Sequence, residues 1–170
     1  MAALAPNADE MSAARTPHDI FLTNLIVNHI LLFTAIAATG KSFFGFIVLV
    51  PIFSFCFLGY TFWRAGRIQR ENSEFVWAHW QIARRWSRLF AGVLLLVVGI
   101  AVLGWLGYTY LGMMKEAVFA FIGGLGFLPI LLSTRTLIVI ESDSLHHARV
   151  GTLPNWARRR FLGEVIPPSE

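Results

Sequence analysis

Charged residues divide this chain into long apolar stretches. No Asp, Glu, Lys or Arg occurs between Asp19 and Lys41, between Lys41 and Arg64, between Arg88 and Lys115, or between Glu116 and Arg135. About 20 helical residues, at about 1.5 Å each, cross a hydrocarbon core of about 30 Å. Each stretch is close to that length and continuously apolar, whereas a barrel strand would be about 10 residues of alternating polarity. In lipid a helix satisfies its own backbone donors and acceptors. The pattern therefore predicts an all-α integral membrane protein, a four-transmembrane-helix bundle with spans at about 20–39, 42–64, 88–110 and 116–136. Together these form a domain over 19–140, flanked by a mobile N-terminal tail at 1–18 and a cytoplasmic C-terminal tail at 141–170.

A different periodicity occupies 72–87. At about 100° per residue, Phe75, Val76, His79, Trp80, Ala83 and Trp86 share one face, with Arg84, Arg85 and Arg88 opposite. Aromatics against arginines predict an amphipathic helix in the headgroup plane between spans two and three, capped by Asn72 or Ser73. The arginine pattern also sets orientation. Arg64, Arg67, Arg70, Arg84, Arg85 and Arg88 follow span two, and Arg135, Arg149, Arg158, Arg159 and Arg160 follow span four. The loops on the other side hold only Lys41 and Lys115. Lysine and arginine favour the cytoplasmic side, which gives an N-in, C-in topology. Acidic Asp9, Glu10 and Asp19 before the first span argue against a cleaved leader there, despite the Ala35-Ile36-Ala37 sequence.

Composition agrees with the pattern. Hydrophobic residues make up 56% of the chain and charged residues 14%, against roughly 25% charged in a soluble domain. The formal charge of +4 comes from arginines that flank spans, which fits anionic lipid headgroups and not nucleic acid. "NWARRRF" at 155–161 has the same character, so Trp80, Arg84, Arg85, Trp86, Arg88, Trp156, Arg158, Arg159 and Arg160 are candidate membrane-surface or partner contacts. Arginine-rich, lysine-poor usage points to a bacterial inner membrane.

Helix breakers fall inside two spans. Pro51 removes a donor and predicts a kink near the Ile47 carbonyl. Gly123, Gly124, Gly126 and Pro129 weaken span four and supply small residues for close packing. "FGFI" then "VPI" at 44–52 is echoed by "FAFI" then "LPI" at 119–130; such paired interruptions in two halves can mark a transport site. In span three, Gly92 and Gly99 share a face.

The chemistry inside the spans is sparse. Asn24, Asn28 and His29 lie within span one and must face the bundle, a cavity or a partner. Amide glue between helices is the plainest reading; a proton, ligand or cofactor site is the sharper one. No Asp, Glu or Lys lies deep in a span, which argues against a self-contained pump. Haem or quinone at His29 is the only cofactor reading. A b-haem would want a second ligand at matching depth, and His79, His146, His147, Met113 and Met114 all lie near or beyond span ends. His146 and His147 are adjacent, diverge in any regular element and suggest no metal. Cys56 is alone, so no disulfide forms within one chain. No nucleotide-binding or hydrolase motif is present. By elimination the chain reads as a non-catalytic accessory or assembly subunit that contacts other membrane subunits or itself. A small oligomeric transporter or channel and a haem- or quinone-binding redox subunit are the alternatives.

Overall fold

A computed structural model describes residues 6–165; positions 1–5 and 166–170 of the two expected tails lie outside the described residues. Every regular element among the described residues is helical. Four helices are long and apolar enough to cross a membrane: α1 (Ala8–Ala38), the helix Gly45–Arg67 whose α-helical part is α2 (Leu49–Arg67), α3 (Glu74–Tyr110) and α4 (Lys115–Arg149). A short C-terminal turn, Asn155–Ala157 followed by Arg158–Leu162, closes the fold.

The elements differ from the sequence expectation at their ends. The segment assigned to a mobile tail is helix from Ala8, begun by a capping box. Asn7 Oδ1 accepts from the Glu10 amide at 2.8 Å, and the Asn7 amide donates to Glu10 Oε2 at 3.0 Å. Hydrogen bonds from Ser73 and from the Asn7 amide hold the Glu10 carboxyl below the usual carboxylate range. Residues 74–87 are not a separate element. They continue without a break into the third apolar stretch, because nothing between Ala83 and Gly92 removes a donor or demands a left-handed residue. α4 likewise runs past Arg135 to Arg149, through "TLIVIE".

The interrupted spans respond to their breakers with changes of helical pitch. Lys41–Val48 is a 3₁₀ helix that becomes α-helical at Leu49, so Pro51 sits in the first turn of α2, where its missing N–H is not needed. Ile122–Phe127, carrying the three glycines, widens to i→i+5 bonding just before Pro129. α1 widens in the same way over Asn24–Leu32.

Two apolar clusters hold the bundle. Near the arginine-rich end, Ala14 of α1, Phe75, Ala78 and Ile82 of α3, and Ala148 of α4 pack with Leu153 and Ala157. Farther along, Phe21 and Leu25 meet Leu58, Phe90, Leu94 and Leu137. In the first cluster four alanines have no exposed surface, so the helix backbones meet closely there. Ala148→Leu inserts three carbons where no space exists. Overpacking of this kind costs about 1–3 kcal/mol, and we expect a lower unfolding temperature in mild detergent; an unchanged one would mean the junction is not tight.

Candidate functional site

The intramembrane polar residues of span one form one junction with α2. Asn24 Nδ2 donates to Ser54 Oγ at 2.9 Å, and Asn28 Nδ2 donates to Asn24 Oδ1 at 3.1 Å and to the Val50 carbonyl at 2.8 Å. His29 Nε2 lies 3.0 Å from Ser54 Oγ, and its ring meets Phe90 of α3 edge-on at 4.9 Å. An α-helix would turn His29 away from the Asn24 face. The widened stretch advances roughly 80° per residue instead of about 100°. Asn28 and His29 then both lie above Asn24 and address α2 together. The cluster is interhelical glue in form: Asn24, Asn28 and Ser54 are buried, and one acceptor, Asn28 Oδ1, is left over.

A second polar cluster was not anticipated from the sequence. His18 of α1, His79 of α3 and Glu141 of α4 have no exposed surface. His18 Nδ1 lies 2.5 Å from Glu141 Oε2, and His18 Nε2 lies 2.9 Å from His79 Nδ1. His79 Nε2 donates to the Thr152 carbonyl at 3.2 Å. On α1 and α4 these residues fall between the two apolar clusters, His18 between Ala14 and Phe21 and Glu141 between Leu137 and Ala148, whereas on α3 His79 lies within the first cluster, between Ala78 and Ile82. The two nitrogens of His18 face different partners, so the three side chains form a chain and do not converge on one point. Among the described residues no three His, Cys, Asp or Glu side chains group around a metal position. Glu141 Oε1 is buried without a partner, as are the hydroxyls of Ser87 and Thr134.

Signals for this cluster did exist. Ala14, His18, Phe21, Leu25 and Asn28 follow one another at alternating spacings of four and three, the seam of a packed helix. His79 lay on the aromatic face of its helical wheel, and Glu141 closes an apolar run. The Ala-, Ser- and Pro-rich composition of 1–18 obscured the first of these.

The expected surface residues divide. Trp80, expected at the membrane surface, is only 3% exposed, because the aromatic face of α3 packs inward. Arg85 and Trp86 meet Trp156: the Arg85 guanidinium lies 5.3 Å from the Trp86 ring and 5.2 Å from the Trp156 ring, and the two rings are 6.1 Å apart. Phe161 joins them, edge-on to Trp156 and Trp77 at 6.1 Å each. Arg158 pairs with Glu164 at 2.8 Å. Arg88, Arg159 and Arg160 are exposed, and Arg84 is half-buried. Of the helix breakers, Gly126 is buried and would place a Cβ 3.5 Å from Val97 Cγ1, whereas Gly123 and Gly124 face open space. Pro51 lies beside Val50, whose carbonyl takes the Asn28 amide.

Each junction yields a stability prediction. Ser54→Ala removes the oxygen shared by Asn24 and His29 and leaves buried amide hydrogens unpaired, at about 1–3 kcal/mol. His29→Leu forfeits one bond at a half-buried position and costs about 1 kcal/mol or less. Detergent denaturation checks both, and equal stability of Ser54→Ala and wild type would remove the glue role. For the second cluster, His18→Leu strands a buried carboxyl and costs about 3–5 kcal/mol, while adding Glu141→Leu recovers most of that loss. A double variant no more stable than the single one would show that the pair does not act as a unit.

Comparison with protein-family models, with curated proteins and with solved structures finds no match, so the chemistry of these sites rests on their own geometry.

Proposed function

We propose that the chain is a non-catalytic accessory or assembly subunit of a larger complex in a bacterial inner membrane, with both termini cytoplasmic. The supporting observation is the outer surface of its helices. Only 17–28% of each apolar window is buried within the chain, and several glycines sit on the remainder. A Cβ at Gly45, Gly59, Gly92, Gly99, Gly123 or Gly124 would meet nothing within 4 Å. Gly104, by contrast, is used internally, against Val118 and Ile122. Small residues let helices approach closely in lipid, and Gly92 and Gly99 lie among exposed Leu89, Leu95, Leu96 and Leu103. That face suits another transmembrane helix. A shallow apolar groove lined by Ile20, Phe53, Phe57 and Tyr60 offers a second.

Orientation rests on the arginines. At about 1.5 Å per residue, the 37 residues of α3 exceed a hydrocarbon core of about 30 Å. We read 74–87 as a cytoplasmic extension of span three, with Arg84, Arg85 and Arg88 at the level of anionic headgroups. This replaces the flat interfacial helix with one that leaves the bilayer along its own axis. The Arg85–Trp86–Trp156 assembly and exposed Arg160 then form a basic, aromatic cytoplasmic surface.

The test is isolation of the full chain from native membranes in mild detergent, followed by size exclusion and identification of what co-migrates. We expect other membrane subunits, and we expect Gly92→Leu with Gly99→Leu to strip them while helix content is retained. A stable homo-oligomer would favour the channel alternative, and a monomer indifferent to the glycine changes would overturn the reading.

A further inference from the structure

The buried cluster of α1, α3 and α4 has a property that a structural clasp does not need. It contains three hydrogen bonds in series: Glu141 Oε2 with His18 Nδ1, His18 Nε2 with His79 Nδ1, and His79 Nε2 with the Thr152 carbonyl. Three protons satisfy all three bonds, and they do so in three arrangements. With a protonated Glu141, both histidines are neutral and carry their proton on Nε2. With a Glu141 carboxylate, the extra proton resides either on His18 or on His79. The net charge is zero in all three, so no arrangement adds a buried charge that is not compensated within the chain.

We infer that Glu141, His18 and His79 form a proton relay, with Glu141 as its buried proton-loading site. The transfer begins from the His79 imidazolium. His79 Nδ1–H breaks as His18 Nε2–H forms, and His18 Nδ1–H breaks as Glu141 Oε2–H forms. Two protons each cross one hydrogen bond, so the charge separation between His79 and Glu141 is cancelled without displacing a heavy atom, while the Nε2–H that faces the Thr152 carbonyl stays in place. Thr152, whose carbonyl ends the chain, is itself exposed, and its separate hydroxyl Oγ1 lies 2.8 Å from Nδ1 of partly exposed His147. Nε2 of His147 is in turn 3.9 Å from the exposed carboxylate of Asp143. At the other end Glu141 Oε1 is fully buried and unpartnered, so the shared proton stops at the carboxyl, which is the closed terminus of the chain. The ligand of this site is a proton, and the inference does not depend on the accessory-subunit reading.

The test is nitrogen NMR of the full-length chain, with its histidine rings labelled with ¹⁵N, in lipid bilayers. In a relay, Nδ1 and Nε2 of His18 and His79 give shifts intermediate between protonated and bare nitrogen, and these move with temperature. Glu141→Gln keeps the shape and the first hydrogen bond, now donated by the amide, but has no exchangeable acid. It should lock both rings as neutral Nε2–H tautomers with temperature-independent shifts. Wild-type shifts already fixed in one tautomer pair, or identical in the two proteins, would overturn the relay. Should Glu141→Gln fail to fold, the wild-type temperature series decides the question by itself.

Discussion

A carboxyl group with no exposed surface is costly to keep inside an apolar bundle. Unshared, its charge would cost several kcal/mol even after relaxation. Glu141 avoids that cost because His18 lies 2.5 Å away and His79 stands behind it. The three residues come from α1, α3 and α4, so the bond that neutralises the carboxyl also fixes the height of three helices relative to one another. Sliding any of them by one turn would break the chain and strand a polar group. The two apolar clusters have no comparable selectivity, since apolar faces pack in more than one register.

α1 carries this logic through its whole length. One face presents Ala14 to an alanine junction, His18 to the relay, Phe21 and Leu25 to the second apolar cluster, and Asn24 and Asn28 to α2. The helix needs its widened stretch to bring His29 there as well. A regular pitch would keep Asn28 near the seam but send His29 away from Ser54. Irregular helix geometry here follows from a requirement to satisfy side chains in a medium that supplies no water.

Hydropathy alone revealed the four apolar helices, because lipid imposes a length and an absence of charge that leave few alternatives. It failed at helix ends. Charges at Asp9, Glu10, Arg15 and Asp19 looked like a solvated tail, yet the Asn7–Glu10 capping box and the heptad-like seam from Ala14 mark a helix that starts well before the apolar stretch. Glu141 and His79 lie outside the four apolar stretches. Their burial depends on α1 reaching back to cover them, a tertiary event that no local pattern reports. Trp80 is buried within the chain, and an aromatic helix face suits lipid headgroups or a protein neighbour equally well, so the local pattern does not report which of the two it meets. The Asn24–Asn28–His29 cluster was visible by its polarity, but its partner Ser54 was not, since a lone serine in an apolar helix usually bonds its own backbone.

Small residues serve two different ends in this chain, and the difference bears on how it works. Ala14, Ala78, Ala148 and Ala157 draw the arginine-rich ends of α1, α3, α4 and the C-terminal turn together. The glycines at 45, 59, 92 and 99 face outward with nothing against them. A helix in lipid gains nothing from an exposed glycine, which weakens the helix by roughly 1 kcal/mol relative to alanine. Four such positions on helices otherwise rich in Leu, Val and Phe make sense if another helix closes on them. The internal junctions thus surround a protonatable centre at one end, and on the subunit reading proposed above the outer faces would fasten the bundle to another helix. A proton held at Glu141 then has a route by which it matters to a partner. The same α3 that contributes His79 to the relay carries Gly92 and Gly99 on its outer face, about three and a half and five and a half helical turns farther along one unbroken helix.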